Sequence, residues 1–303
     1  MLTSSDLHFF AGIARAESLA AAARALGVTP PAVTQRLQDL ERRLGVRLVE
    51  RSGRRVTLTA EGELLAARGQ EIADDLASLT ETLAARRGVV AGHLRVLAPL
   101  GFGRAHVAPA AGRFFADHAE VTLDLVLSDR MGRVAETSWD VAVHIGELRD
   151  SSLVATRLAP NDRILCASPS FVARYGVPDA PADLRDFACI ALRENDEDVT
   201  MWRFARDDGA AESVRVEPRL ATNDGEVVRE WAVAGRGIIV RSEWSVAADL
   251  RAGRLARLLP GWRLPSADVI AFVGPRRGRS ARATRFVEYL REALTPVPWR
   301  ADS

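Results

Sequence analysis

The sequence predicts a multidomain α+β protein: a winged helix-turn-helix first, a long linker helix next, and a two-lobed α/β region behind them. Three observations carry this. Residues 18–59 hold two short helical segments, a tight turn and an arginine-rich hairpin. Residues 60–87 repeat leucine and isoleucine at heptad-like spacing. Beyond residue 92, short apolar runs alternate with helical segments, the pattern of α/β architecture.

Ser18 can cap a helix over Leu19–Leu26 by accepting from first-turn N–H groups, and Gly27 ends that helix at little conformational cost. Thr29 and Pro30 restart the chain, a capping hydroxyl followed by a proline whose missing N–H costs nothing at the first helical position. Val33, Leu37, Leu40 and Leu44 then form one buried stripe. Pro31, Gln35, Gln38 and Arg42 point away from it and Thr34 sits on its flank, so amides and a hydroxyl are free to meet base edges. After Gly45 two apolar runs, Val46–Val49 and Val56–Leu58, flank a 50–55 tip whose Arg51, Arg54 and Arg55 suit phosphates or a narrow minor groove. This front part carries nine arginines against five acidic residues, a local +4 within a chain whose total is +1. The basic character is therefore local.

Thr59 can cap a helix from Ala60 to Arg87, closed by Arg86, Arg87 and Gly88. Within it Leu65, Ile72, Leu76, Leu79 and Leu83 follow the seam of a coiled coil, which predicts pairing with a second copy. The expected domains are 1–58 for DNA binding, 59–92 for the dimerisation helix and hinge, and 93–303 for the two lobes. Lobe I takes about 93–161 and 267–303, and lobe II about 162–266. Strands are expected at Leu94–Ala98, Val121–Leu127, Val141–Ile145, Arg163–Ala167, Cys189–Leu192, Ile238–Arg241 and Val269–Val273. Helices are expected near 102–117, 225–234, 243–252 and 280–294.

At 303 residues and 48% hydrophobic, the chain can fill several cores. No stretch reaches the ~20 apolar residues that span a bilayer, so no membrane partner and a cytoplasmic location are expected. Cys166 and Cys189 sit in apolar runs and read as buried free thiols. The histidines His8, His93, His106, His118 and His144 are dispersed without zinc spacing, so no metal or other cofactor is expected. There is no nucleophile elbow, His-Glu-x-x-His pair or Walker loop, which argues against an enzyme. A solute-binding protein would explain two lobes but not the first 88 residues.

The segments Ser18–Leu26, Thr29–Thr34, Leu40–Gly45, Leu48–Arg51 and Leu58–Gly62 resemble the conserved pattern of LysR-type transcriptional regulators. Asp140–Gly146, Asp150–Ala155 and Ala234–Ile238 are similar to the same family's second half, so the resemblance spans essentially the whole chain. It implies a C-terminal effector domain like a type II periplasmic binding protein, a homotetramer built from dimers, and a small-molecule effector in the cleft. The implied partners are double-stranded promoter DNA, further copies of the chain and RNA polymerase. The family's base-reading positions fall on Pro30, Pro31, Thr34 and Gln35, and its wing arginine on Arg54 or Arg55. Many members carry Gln-Pro and Ser-Arg where this chain has Pro30-Pro31 and Thr34-Gln35, and an arginine where it has His144.

The segment 99–104 follows a strand and opens a helix, so its N–H groups could cradle an anion, and the family places effector contacts there, on Pro99, Leu100, Gly101 and Phe102. The resemblance adds Ser128, Gly146, Glu147, Thr200, Trp202 and Asn223, with Asp224 expected to cap the next helix. The 150–153 and 222–226 segments are similar to a branch containing regulators of malate and tartrate metabolism, which points to a carboxylate effector.

Overall fold

The computed structural model describes residues 2–52, 55–85, 89–128, 139–146, 154–193, 199–273 and 280–301. The chain divides into two compact units, Met1–Arg87 and Gly88–Ser303.

In the first unit α1 (Ser4–Ala14) opens with a capping box: Thr3 Oγ1 accepts from the Asp6 N–H at 3.3 Å, and the Asp6 carboxylate accepts from the Thr3 N–H at 3.1 Å. α2 (Leu19–Ala25) is capped by Ser18, whose hydroxyl accepts from the Ala21 N–H at 3.1 Å. It ends in a Schellman turn, with Gly27 at φ 66° and the Val28 N–H donating to the Ala23 carbonyl at 3.0 Å. α3 (Pro30–Leu44) starts on a proline as expected, but the Thr29 side chain makes no capping hydrogen bond. Val33, Leu37 and Leu40 are buried with Phe9, Phe10 and Ile13, and Leu44 packs on the same core. The wing pairs β1 (Val49–Ser52) with β2 (Arg55–Leu58). β1 sits three residues later than the apolar run Val46–Val49 indicated and β2 starts one residue before Val56, so Glu50, Arg51, Ser52 and Arg55 are strand residues and Val46, Arg47 and Leu48 are not. Arg54 lies outside the described residues.

Asp6 also binds Arg43 of α3 at 2.8 Å while almost fully buried. The Arg43 hydrogen bond is the main cause that holds its carboxyl at about 2, below the ordinary 3.8. A depressed folded value means the carboxylate stabilises the unit above its unfolded pKa and loses that contribution as pH falls from about 4 to 2. The acid limb of thermal stability should therefore flatten in Asp6→Asn between about pH 4 and 2. An unchanged limb would remove Asp6 as its source.

α4 (Ala60–Ala85) follows, with the Thr59 hydroxyl accepting from the Gly62 N–H at 3.0 Å. Its apolar stripe starts inside the unit and then leaves it. Leu65 packs into the core beside Phe10 and Leu37, whereas Ile72, Leu76 and Leu79 are exposed by 51%, 48% and 58%. α1 covers only the first turns of α4, so heptad spacing carries the later residues past the domain. The Leu83 side chain, and residues 86–88, lie outside the described part.

In the second unit, β3 (Gly92–Pro99), α5 (Leu100–Phe102), a π-helical turn (Gly103–Val107) and α6 (Ala108–Asp117) lead to β4 (Val121–Ser128), β5 (Val141–Ile145) and β6 (Val154–Ala159). The chain then crosses to β7 (Arg163–Ala167), α7 (Pro169–Tyr175), a 3-10 turn (Pro181–Arg185), β8 (Ile190–Leu192), β9 (Met201–Ala205), β10 (Ala211–Arg215) and β11 (Leu220–Thr222). α8 (Gly225–Val233), β12 (Ile239–Ser242), α9 (Glu243–Arg251) and β13 (Ala256–Arg257) complete that lobe before β14 (Val269–Val273) and α10 (Ala281–Ala293) return to the first.

Lobe I is a five-stranded sheet ordered β4-β3-β5-β14-β6, parallel across β4, β3 and β5 and antiparallel around β14. Phe102, Phe114 and Phe286 fill its core. Lobe II joins β12-β7-β13 to the parallel β11-β8 pair through the Cys189 to Ile238 bridge. The sequence missed β6, α7, the β9–β10 hairpin, β11 and β13, and α1 in the first unit. β6 is an edge strand interrupted by Thr156 and Arg157, while Trp202, Phe204 and Val214 did carry a strand period that a hairpin reading would have used. Cys166 and Cys189 are buried free thiols, both pushed up to about 12 by burial.

Candidate DNA-reading and effector sites

α3 presents Thr29, Pro30, Pro31, Gln35 and Arg42 on its exposed side, with Thr34 and Gln38 half-buried. Thr34 donates its hydroxyl to the Pro30 carbonyl at 3.1 Å. Gln35 donates to Asp39 at 3.3 Å and Arg42 donates to the same carboxylate at 2.7 Å, and both side chains are exposed. Not every arginine here is available. Arg36 lies 4.4 Å over the Phe9 ring and donates to the Ser5 carbonyl and hydroxyl, and Arg43 is held by Asp6. The Ser18 oxygen is engaged in its cap. Glu41, unremarked in the sequence, accepts from the Leu48 and Val49 N–H groups at 2.8 and 3.3 Å and so fixes the wing to α3.

In the second unit the start of α5 and the start of α8 approach from different lobes. Arg104, one turn past Pro99, lies 3.6 Å from Asp224, and the Gly101 Cα faces the Trp244 ring so closely that a Cβ there would sit 3.0 Å from it. Asp224 is the N-cap of α8 as expected, accepting from the Glu226 N–H at 2.8 Å. Ser128 stands beside Pro99 in the β3–β4 register, and Asn223 is exposed just before α8. Arg241 brings a charge the sequence did not flag. Its buried guanidinium donates to Ser245 at 3.3 Å and crowds Gly225, where a Cβ would be 2.1 Å away.

Other expected contacts sit elsewhere. Phe102 is fully buried and stacks edge-on against Trp244 and Trp299, so its ring is core. Trp202 is a lobe II core residue whose indole N–H donates to the Val199 carbonyl at 3.1 Å, because alternate β9 side chains face inward. Thr200 accepts from Arg215 at 3.0 Å beside the β9–β10 hairpin. Gly146, at φ 101°, is buried and donates its N–H to the Asp268 carbonyl at 3.0 Å, which places it near the interlobe crossing. Glu147 lies outside the described residues. His106 is half-buried against Phe102, Trp244 and Trp299, and burial pushes its pKa below the ordinary value.

A winged helix-turn-helix joined in one chain to a two-lobed α/β domain defines a ligand-responsive DNA-binding regulator. Residues 4–63 match the family model for the bacterial regulatory helix-turn-helix protein, lysR family, and residues 87–295 match the LysR substrate binding domain. The chain belongs to the LysR family of transcriptional regulators. It is 36% identical over 288 residues to the transcriptional regulator DmlR of Escherichia coli K12, covering 95% of this chain and 93% of that one. It is 32% identical over 287 residues to the transcriptional activator TtdR of the same strain, covering 95% and 92%. The solved structure of CrgA, a LysR-type regulator from Neisseria meningitidis, superposes with a TM-score of 0.60 at 27% identity, covering 97% of this chain and 99% of that one. Its relatives are named as regulators, not enzymes. Among the described residues no helix is long and apolar enough to cross a membrane.

Proposed function

We propose that this regulator reads a two-fold promoter site in the cytoplasm as a dimer or as a tetramer built from two dimers, and that a small carboxylate held between its lobes resets promoter binding and contact with RNA polymerase. The observation that carries the effector half is electrostatic. The first residues of α5 and α8 come from opposite lobes within reach of the Arg104–Asp224 pair, and a buried Arg241 guanidinium lies against the start of α8. Helix starts and a guanidinium share one sign, which favours an anion there. Ser128 and Asn223 are the proposed polar contacts, and C4 dicarboxylates the first candidates. On DNA, Gln35 with Thr34, Gln38 and the Pro30–Pro31 start reads bases, while Arg51, Arg54 and Arg55 supply phosphate or minor-groove charge.

One experiment tests both halves. Duplexes enriched from a random library by the full chain are titrated with wild type and Gln35→Ala, with and without L-malate or tartrate. Gln35→Ala should lose ~1–3 kcal/mol of discrimination against scrambled duplex. The dicarboxylates should raise wild-type melting temperature saturably, and Arg241→Gln and Asn223→Ala should weaken that rise. Wild-type specificity in Gln35→Ala overturns the reading of α3. A response only to neutral or cationic compounds overturns the effector site.

A further inference from the structure

The helix α9 belongs by sequence to lobe II but packs into both lobes. Its Val246 is buried with Ile164, Cys166 and Ile239, while the next residue, Ala247, is buried with Phe102 and Phe286 of lobe I. Motion between the lobes must therefore slide or release this helix. Its start is tied to the first crossing: the Glu243 N–H donates to the Asp162 carbonyl at 2.7 Å, and the Trp244 N–H to the side chain of buried Asn161 at 3.3 Å. Asn161 reaches the return crossing as well, donating its amide to the Ala267 carbonyl at 2.8 Å.

The segment after α10 then grips α9 from lobe I. Arg300 donates from Nε and Nη2 to the Glu243 carboxylate at 2.9 and 2.5 Å and to Asp162 at 2.9 Å. At the other end of the helix, Arg251 donates to the Trp299 carbonyl at 3.1 Å. Trp299 itself is buried beside Phe102 and His106, in the aromatic cluster that Trp244 enters from lobe II. The indole N–H groups of Trp244 and Trp299 are both buried with no hydrogen-bond partner among the described residues. An arrangement that leaves two donors unsatisfied is disfavoured unless other contacts hold it. The Arg300–Glu243 pair, made by three charge-assisted hydrogen bonds, is the contact able to hold it.

We propose that Trp299 and Arg300 form a strap that keeps α9 docked on lobe I and thereby sets the resting angle between the lobes. Trp244, lying against Gly101, is the lever by which an occupant at the start of α5 works against the strap. The lever half rests on the effector reading above. The strap half needs no ligand.

Hydrogen exchange on the full chain, without ligand, tests the strap alone. In Arg300→Gln, amides of 243–251 and 100–107 should exchange about tenfold faster, while α1–α3 and α8 stay as in wild type. Glu243→Gln should do the same, the double variant should add little, and Arg300→Lys should recover part of the protection. Unchanged exchange in α9, or an equal rise across both lobes, would overturn the strap, and Arg251→Gln gives a second variant should Arg300→Gln not fold. With L-malate added, the wild type should show faster exchange in α9 than without it. If malate or tartrate binds and α9 exchange is unchanged, the lever is wrong; if only neutral or cationic compounds bind, the effector reading and the lever fail together and the strap still stands on the ligand-free result.

Discussion

Replacing Gly62 by alanine is expected to cost the N-terminal unit about 3 kcal/mol and to abolish DNA binding at physiological salt, the upper end of what overpacking a filled site does. Gly62 is the third residue of α4, and a Cβ there would lie 2.0 Å from the Leu48 carbonyl oxygen. That carbonyl cannot yield easily. It accepts from the Thr59 N–H at 3.1 Å, the Leu48 N–H is held by Glu41, and the Leu48 side chain is buried. Alanine must therefore push the strand leading into the wing away from α4. Gly27→Ala is the control: it has the same added methyl and a φ of 66°, but nothing lies within 4 Å. Only left-handed strain of about 1 kcal/mol is expected there. Thermal unfolding of both variants decides it, and a Gly62→Ala no worse than Gly27→Ala would show that the close approach is not a constraint.

The second large effect is expected from Leu79→Asp. Ile72, Leu76 and Leu79 recur on one side of α4 and are about half exposed or more in the single chain. A second copy laid along that stripe would bury each of them twice. Losing two leucine burials at ~1.5–3 kcal/mol each, and facing two carboxylates, should weaken self-association at least about a hundredfold. DNA affinity should fall with it, because a two-fold site is read by two linked copies. Light scattering and duplex titration measure both. An unchanged oligomer from a folded Leu79→Asp protein removes this stripe as the essential contact. Leu65→Asp should instead unfold the N-terminal unit, since Leu65 belongs to its core.

What the sequence determined by itself is what short-range physics writes. The Ser18 cap, the Gly27 stop, the proline start of α3 and the 33–37–40 stripe each depend on residues within a turn or two, and all stand where the pattern put them. The strand and helix alternation of the lobes was legible for the same reason, through period and punctuation. The Asp224 cap was legible too. Tertiary structure decided everything that depends on which distant element arrives. Gly62 looked like a motif letter and is a point where a backbone carbonyl presses on a helix. Phe102 and Trp202 looked like walls of a ligand site, and Phe102 is enclosed by rings from two other segments while Trp202 turns into the lobe II core. Arg300 meets Asp162 from 138 residues away, and neither carries a local signal of the other. A charge at such a crossing is indistinguishable in sequence from a solvated one, because its free energy is set by the burial and partner that only the folded chain supplies.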